Sequence, residues 1–175
     1  MWAISILDHS KNYVSFLDEK NPCPLPIYDL CFVPTAMALV DPKGSKEATS
    51  FIIENHITGT WQKFIGNANA IPLMASGEEG YEHAQYMSFL QHIQFEKTRR
   101  LAYISDWQGN SDTTFLYLPR LTCDNRPALY GDGNVASAFL KFPEEHCCNR
   151  YCSWAGLKPP SHDNIDNLTN MSTGE

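Results

Sequence analysis

The sequence predicts an α+β fold, and three observations carry that prediction. Two long stretches show helical apolar periodicity, several short β-rich runs lie between and after them, and His146 to Cys152 gathers potential metal ligands. With 175 residues, the chain suits one domain, or two small lobes sharing a core. Its 43% hydrophobic and 12% aromatic content supplies an interior of that size.

The elements follow in order. Trp2 to Leu17 carries apolar residues at Trp2, Ile6, Leu7, Val14, Phe16 and Leu17, an amphipathic helix. Asn21-Pro22-Cys23-Pro24-Leu25-Pro26 ends it, because proline cannot donate the helical hydrogen bond. Strands are expected at Leu30 to Val33, Ser50 to Ile53 and Thr60 to Phe64, the last two separated by a Thr58-Gly59 turn. Glu78 to Phe95 reads as a helix offering Tyr81, Ala84, Tyr86, Phe89, Leu90 and Ile93 to the core. Leu101 to Ser105 and Thr114 to Leu118 are expected as two strands joined by a Gly109-Asn110 turn. Pro127 to Asn134 is a glycine-rich loop, followed by a short helix from Val135 that leads to Pro143 and a cysteine-rich helix. After Leu157, a Lys-Pro-Pro-Ser run and a polar stretch predict a disordered tail over 158–175.

Charge and cysteine usage narrow the function classes. A formal charge of -7 argues against nucleic acid as a partner, since such binders are usually basic. No apolar run reaches the roughly 18 residues a membrane span requires. The opening Met1-Trp2-Ala3-Ile4-Ser5-Ile6-Leu7-Asp8 lacks a basic leader and meets an acid early, so a cytoplasmic or other intracellular location is expected. In that setting the six cysteines read as reduced thiols or metal ligands rather than disulfides.

Chemistry-bearing residues fall in four places. Cys148 and Cys152 are one helical turn apart if this stretch is helical, and His146 precedes them closely. That set suits zinc, which takes thiolate and imidazole tetrahedrally, but it equally suits buried helix thiols, and it lacks a fourth ligand. Asp106-Trp107-Gln108-Gly109 places a carboxylate and an amide on one strand face by alternation, an oxygen set for Mg²⁺ or a plain strand-end turn. Glu54, Gly59, Lys63 and Asn67 put a cation and an amide at a hairpin end, which also describes a solvated edge strand. Gly131-Asp132-Gly133-Asn134 suits an anion cradle or an ordinary turn.

Together these residues resemble the alpha-type (atypical) protein kinases, over about Trp2 to Leu157. The family's adenine-lid spacing of Glu, Gly, Lys, aromatic and Asn matches Glu54, Gly59, Lys63, Phe64 and Asn67. Its D-x-Q-G motif matches Asp106 to Gly109, and its G-x-G-N loop matches Gly131 to Asn134. Its zinc module of an upstream His and a later H-x-C-N-x-x-C matches His92, His146, Cys148, Asn149 and Cys152. The resemblance implies a two-lobed, protein-kinase-like fold with ATP held between lobes and a zinc-stabilised C-lobe, over 1–157. It implies structural zinc on His92, His146, Cys148 and Cys152, with Cys147 a bystander. Asp106 would be the catalytic carboxylate and Gln108 a Mg²⁺ ligand. Lys63 and Asn67 would face the phosphates of ATP, backbone near Glu54 would meet adenine, and Gly131, Gly133 and Asn134 would shape the protein-substrate site.

Two departures from the family pattern are visible. The match opens inside the N-lobe helix, so an incomplete N-lobe is expected, without the strand pair bearing the phosphate loop and the ATP-pairing lysine. The family's L-T-D-P falls on Leu116-Tyr117-Leu118-Pro119, with Leu118 in place of the acid. The expected function is therefore ATP-dependent phosphoryl transfer to protein Ser/Thr. A zinc-stabilised pseudokinase or interaction module, or a fragment without function, are the alternatives.

Overall fold

The computed structural model describes residues 2–40, 49–110, 115–117, 120–123 and 136–161. Helix α1 (Trp2–Lys20) opens the chain, and Leu7, Ser10 and Val14 form its buried stripe. Trp2 and Phe16, expected to face the core, are exposed, because they lie off that stripe at helical spacing. Beyond the helix, Asp18 accepts a hydrogen bond from the Cys23 amide at 2.7 Å, so the proline-rich exit is pinned to the last turn.

Strands β1 (Cys31–Phe32), β4 (Trp61–Lys63), β6 (Gln108–Asn110) and β7 (Phe115–Leu116) form one sheet in the order β1-β7-β6-β4. The β1–β7 contact is parallel and the others are antiparallel. Strands β2 (Thr35–Val40) and β3 (Thr49–Glu54) form a separate antiparallel pair, as do β5 (Ala102–Ser105) and β8 (Arg120–Cys123).

Both expected hairpins are replaced by other pairings. The run ending at Glu54 pairs back onto β2, and β4 pairs with β6 instead. Gly59 explains the diversion: its φ is 102°, and a Cβ there would lie 1.9 Å from the Asn110 amide nitrogen. Only glycine lets that amide reach the Thr58 carbonyl at 2.7 Å and hold the chain against β6. Likewise β5 does not turn into β7. The backbone breaks at Asp106, whose φ of 58° is left-handed, so β5 joins β8 while β6 joins β4 and β7.

Helix α2 (Tyr81–Lys97) occupies the centre and is buried on nearly all sides from Tyr86 to Phe95. Two of its polar residues fasten it to β5: Gln91 Nε2 donates to the Ile104 carbonyl at 2.8 Å, and Gln94 Oε1 accepts from the Ile104 amide at 2.8 Å. These side chains satisfy backbone groups on the edge of β5 that β8 does not pair. Trp107 Nε1 adds a second donor to the same carbonyl at 3.0 Å. Around α2 the main core collects Leu7, Val14, Leu30, Phe64, Phe89, Leu90, Ile93 and Trp107. Helix α3 (Ala136–Glu145) closes a smaller core of Phe95, Tyr103, Phe139 and Phe142. The short helix α4 (Arg150–Trp154) follows, and among the described residues no helix is long and apolar enough to cross a membrane.

Candidate functional site

One cleft forms where β4 meets the break at Asp106. Phe64 N donates to the Trp107 carbonyl at 2.8 Å and Asp106 N to the Gly66 carbonyl at 3.3 Å, so the two segments run locked together. Trp107 is fully buried and anchors the turn between Asp106 and Gln108. Lys63 Nζ lies 2.5 Å from Asp106 Oδ1, an ion pair in which the Asp106 side chain is largely covered and the Lys63 side chain is about one-third exposed. Gln108 is the register partner of Lys63 across β4 and β6, which puts both side chains on one face of that sheet. Strand alternation does not bring Asp106 and Gln108 together as expected, because Asp106 is not in a strand. Lys63 does so instead, paired to one by charge and to the other by register.

Asn67 joins through a hydrogen-bond chain. Ser105 Oγ donates to Asn67 Oδ1 at 3.1 Å and lies 2.6 Å from Thr122 Oγ1. This bond ties Asn67 to the last residue of β5, next in the chain to Asp106. Ser105 and Thr122 were not singled out in the sequence, since their meeting depends on β5 pairing with β8. Glu54 ends β3, and the residues after it, Asn55 to Thr58, line a cavity of about 310 Å³ with Val33, Pro34 and Phe115. That cavity does not include Lys63 or Asp106; the short segment from Thr58 to β4 connects the two places. Leu118, Gly131, Gly133 and Asn134 lie outside the described residues.

A second centre brings together all four expected metal ligands. The donor atoms of His92, His146, Cys148 and Cys152 lie within 4.8 Å of one another. Cys148 Sγ is 3.8 Å from His92 Nδ1, and Cys152 Sγ is 3.6 Å from His146 Nε2. A tetrahedron with zinc–sulfur and zinc–nitrogen bonds of ordinary length has S···N edges of about 3.6 Å. The spacing and the two-sulfur, two-nitrogen donor set therefore fit zinc. Cys148 and Cys152 do not share a helix face as expected: Cys148 precedes Asn149, the N-cap residue of α4. Asn149 accepts from the Tyr151 and Cys152 amides and donates Nδ2 to the Gln85 carbonyl at 2.8 Å, so one residue caps α4 and ties it to α2. His146 turns its other nitrogen, Nδ1, toward Ser88 Oγ at 3.5 Å, which orients the ring.

Burial sets the protonation of the metal-free centre. It lowers His92 to about 4 and, with the neighbouring His92 as a smaller cause, lowers His146 to about 3. It raises Cys148 and pushes Cys152 up to about 12. The imidazoles are thus neutral and ready to donate lone pairs, whereas a cation entering the site must displace two thiol protons.

These arrangements define an α+β chain with an ion-paired cleft and a candidate metal centre in its C-terminal part, and comparison with known proteins identifies the family. The Alpha-kinase family model matches residues 9–152, and the chain belongs to that family. Among solved structures, the C-terminally truncated alpha-kinase domain of myosin heavy chain kinase is 17% identical, with a TM-score of 0.60 over 91% of this chain and 59% of that one. The alpha-kinase domain of myosin-II heavy chain kinase A in complex with AMP-PNP is 16% identical, with a TM-score of 0.62 over 90% and 56%. Its complex with ADP is 18% identical, with a TM-score of 0.58 over 91% and 58%. The present chain thus spans less than three-fifths of each of those chains. No curated protein matches it significantly.

Proposed function

We propose that this chain carries the nucleotide-facing and zinc-stabilised part of an alpha-type protein serine/threonine kinase. The observation that carries the reading is the Lys63–Asp106 ion pair with Gln108 opposite Lys63 and Asn67 alongside. Such a cluster has the parts phosphoryl transfer needs, which are positioning and charge neutralisation rather than covalent chemistry. The related myosin-II heavy chain kinase A domain is known in complexes with ADP and AMP-PNP, which supports ATP as the nucleotide.

In this reading Asp106 orients the substrate hydroxyl and accepts its proton as the bond to the γ-phosphorus forms. Lys63 faces the phosphates, and Asn67 offers its amide to them. The cavity after Glu54 receives the adenine against the Asn55–Thr58 backbone. Gln108 offers a hard carboxamide oxygen, the donor type magnesium takes, and Mg²⁺ when bound would neutralise phosphate charge. His92, His146, Cys148 and Cys152 would hold zinc as a structural ion, closed on all four sides. Gly131, Gly133 and Asn134 would shape the protein-substrate site.

A second reading, a zinc-stabilised pseudokinase, is favoured by Leu118, an apolar residue where the family pattern has an acid. Losing a single positioning or electrostatic group commonly costs about a hundredfold to a thousandfold in rate. The test is transfer from radiolabelled ATP to a generic basic protein, comparing the unsubstituted chain with Asp106→Ala. Transfer that disappears in Asp106→Ala supports the kinase reading; no transfer from the unsubstituted chain above an Asp106→Ala background overturns it for this chain by itself.

A further inference from the structure

We propose that Tyr117 is a positioning residue for the nucleotide base, its hydroxyl setting the wall against which adenine packs in the cavity after Glu54. The proposal rests on the nucleotide reading for its ligand and adds a residue that reading does not use.

The wall is the segment Asn55 to Thr58, which joins β3 to β4 and lines the cavity with Val33, Pro34 and Phe115. It lies in no helix or strand, so single hydrogen bonds to neighbouring segments must fix it. Its two ends are tied. Asn55 N donates to the Pro34 carbonyl at 3.3 Å, and the Thr58 carbonyl accepts from Asn110 Nδ2 at 2.7 Å. Between those ties, Ile57 N donates to Tyr117 Oη at 3.4 Å, the one hydrogen bond Ile57 N makes among the described residues. Ile57 is buried, and in so covered a residue an amide without a partner carries a cost.

Tyr117 is fixed in turn at the other end of the site. Its own N–H donates to the Gln108 carbonyl at 3.0 Å. The preceding Leu116 pairs with Gly109, and its carbonyl accepts from Val33 N at 2.9 Å. Strands β6 and β7 approach closely here, since a Cβ on Gly109 would lie 2.5 Å from the Phe115 carbonyl oxygen. One side chain therefore links the strand that carries Gln108 to the middle of the base wall, 60 positions away in the chain.

The alpha-kinase pattern L-T-D-P puts a threonine where this chain has Tyr117. A threonine hydroxyl stands directly on Cβ, whereas the phenol oxygen stands at the far end of a ring. The reach to Ile57 thus belongs to this chain and not to the pattern. At 3.4 Å the bond is long for N–H···O, so its contribution to overall stability is small. Its effect is local, on where the middle of the wall stands when a base packs against it.

The test compares the full chain with Tyr117→Phe, which removes one oxygen and keeps the ring. Amide exchange followed by NMR reads the tie without any nucleotide. Ile57 is expected to exchange about threefold faster or more in Tyr117→Phe, while Phe89 and Leu90 on α2 keep their rates. Calorimetric titration with adenosine and with Mg-ADP reads the positioning. Both ligands are expected to weaken by a common factor of about three to ten, the worth of one neutral hydrogen bond. Unchanged Ile57 exchange overturns the proposal, and so does a rise shared by Phe89 and Leu90, which marks a general loss of stability. Unchanged adenosine affinity, or a weakening confined to ADP, overturns it while leaving the nucleotide reading in place. If the unsubstituted chain binds neither ligand, the nucleotide reading fails and the proposed role of Tyr117 fails with it, whatever the Ile57 exchange shows.

Discussion

At the scale of single residues, the candidate metal centre separates cysteines that look alike in sequence. Cys152 is fully buried against His146, whereas Cys147 is exposed and outside the cluster. Zinc analysis of the purified chain is expected to give one ion per molecule, retained in Cys147→Ser and lost in Cys152→Ser. Cys152→Ser should also melt earlier by circular dichroism, because a structural metal's binding energy is folding energy. Equal zinc content in the two variants would refute the ligand set. The same residues set a pH window for the metal-free protein. His92 and His146 have folded-state values of about 4 and 3, below the unfolded value near 6.5. Unfolding takes up protons between those values, so stability is full above about pH 6.5 and falls by roughly 1.4 kcal/mol per pH unit for each histidine below it. Cys152 acts at the other end: raised to about 12, it contributes stability below the ordinary thiol range that is lost as pH rises toward 12. Urea midpoints of the chelator-treated chain between pH 4 and 10 should therefore peak between about 6.5 and 8.5. A midpoint unchanged from pH 7 to pH 4.5 would show that the histidines are not buried.

At the scale of elements, small polar contacts decide which pieces stay together. Helix α4 has one turn and cannot persist by propensity alone. Asn149 supplies its cap, and the same side chain crosses to Gln85 on α2. Asn149→Ala is expected to cost about 1–2 kcal/mol from the cap alone. Denaturant unfolding measures it, and Asn149→Asp should recover the cap but not the amide donor to Gln85. A cost below about 0.3 kcal/mol for Asn149→Ala would mean that α4 is held by the metal alone. Gln91 and Gln94 play a comparable part, since they bond both backbone groups of Ile104 and fix the layer between α2 and β5.

For the whole molecule, the β2–β3 pair stands apart from the rest. Met37, Leu39, Phe51, Ile52 and Ile53 are between 53% and 69% exposed, and the pair has no third strand among the described residues. By register, Met37 and Ile52 share one face and Ala38 and Phe51 the other, so apolar side chains meet water on both sides. A two-stranded ribbon of this kind is marginal by itself and open to association along its edges. Sedimentation velocity should show concentration-dependent association of the isolated chain. The double substitution Leu39→Lys and Ile52→Lys, which charges one face, should suppress it. Association undiminished by that change would place the sticky surface elsewhere.

The sequence by itself determined the helices α1 and α2, the family, and the four side chains that the fold gathers into a candidate metal site. Periodicity is a local property, proline marks a helix end locally, and ligands of matched chemistry announce themselves at any separation once a motif relates them. Strand partners were not legible. The pairing of β3 with β2, of β4 with β6 and of β5 with β8 was settled by two backbone conformations, at Gly59 and Asp106, that only neighbouring chain segments enforce. The same holds for the buried faces of Gln91 and Gln94, which read as a polar helix side until Ile104 is set beside them. Tertiary structure alone therefore built the cleft. It set Lys63 against Asp106 through sheet register and a left-handed residue, because long-range pairing is chosen by the fit of whole surfaces and leaves no periodic trace in the chain.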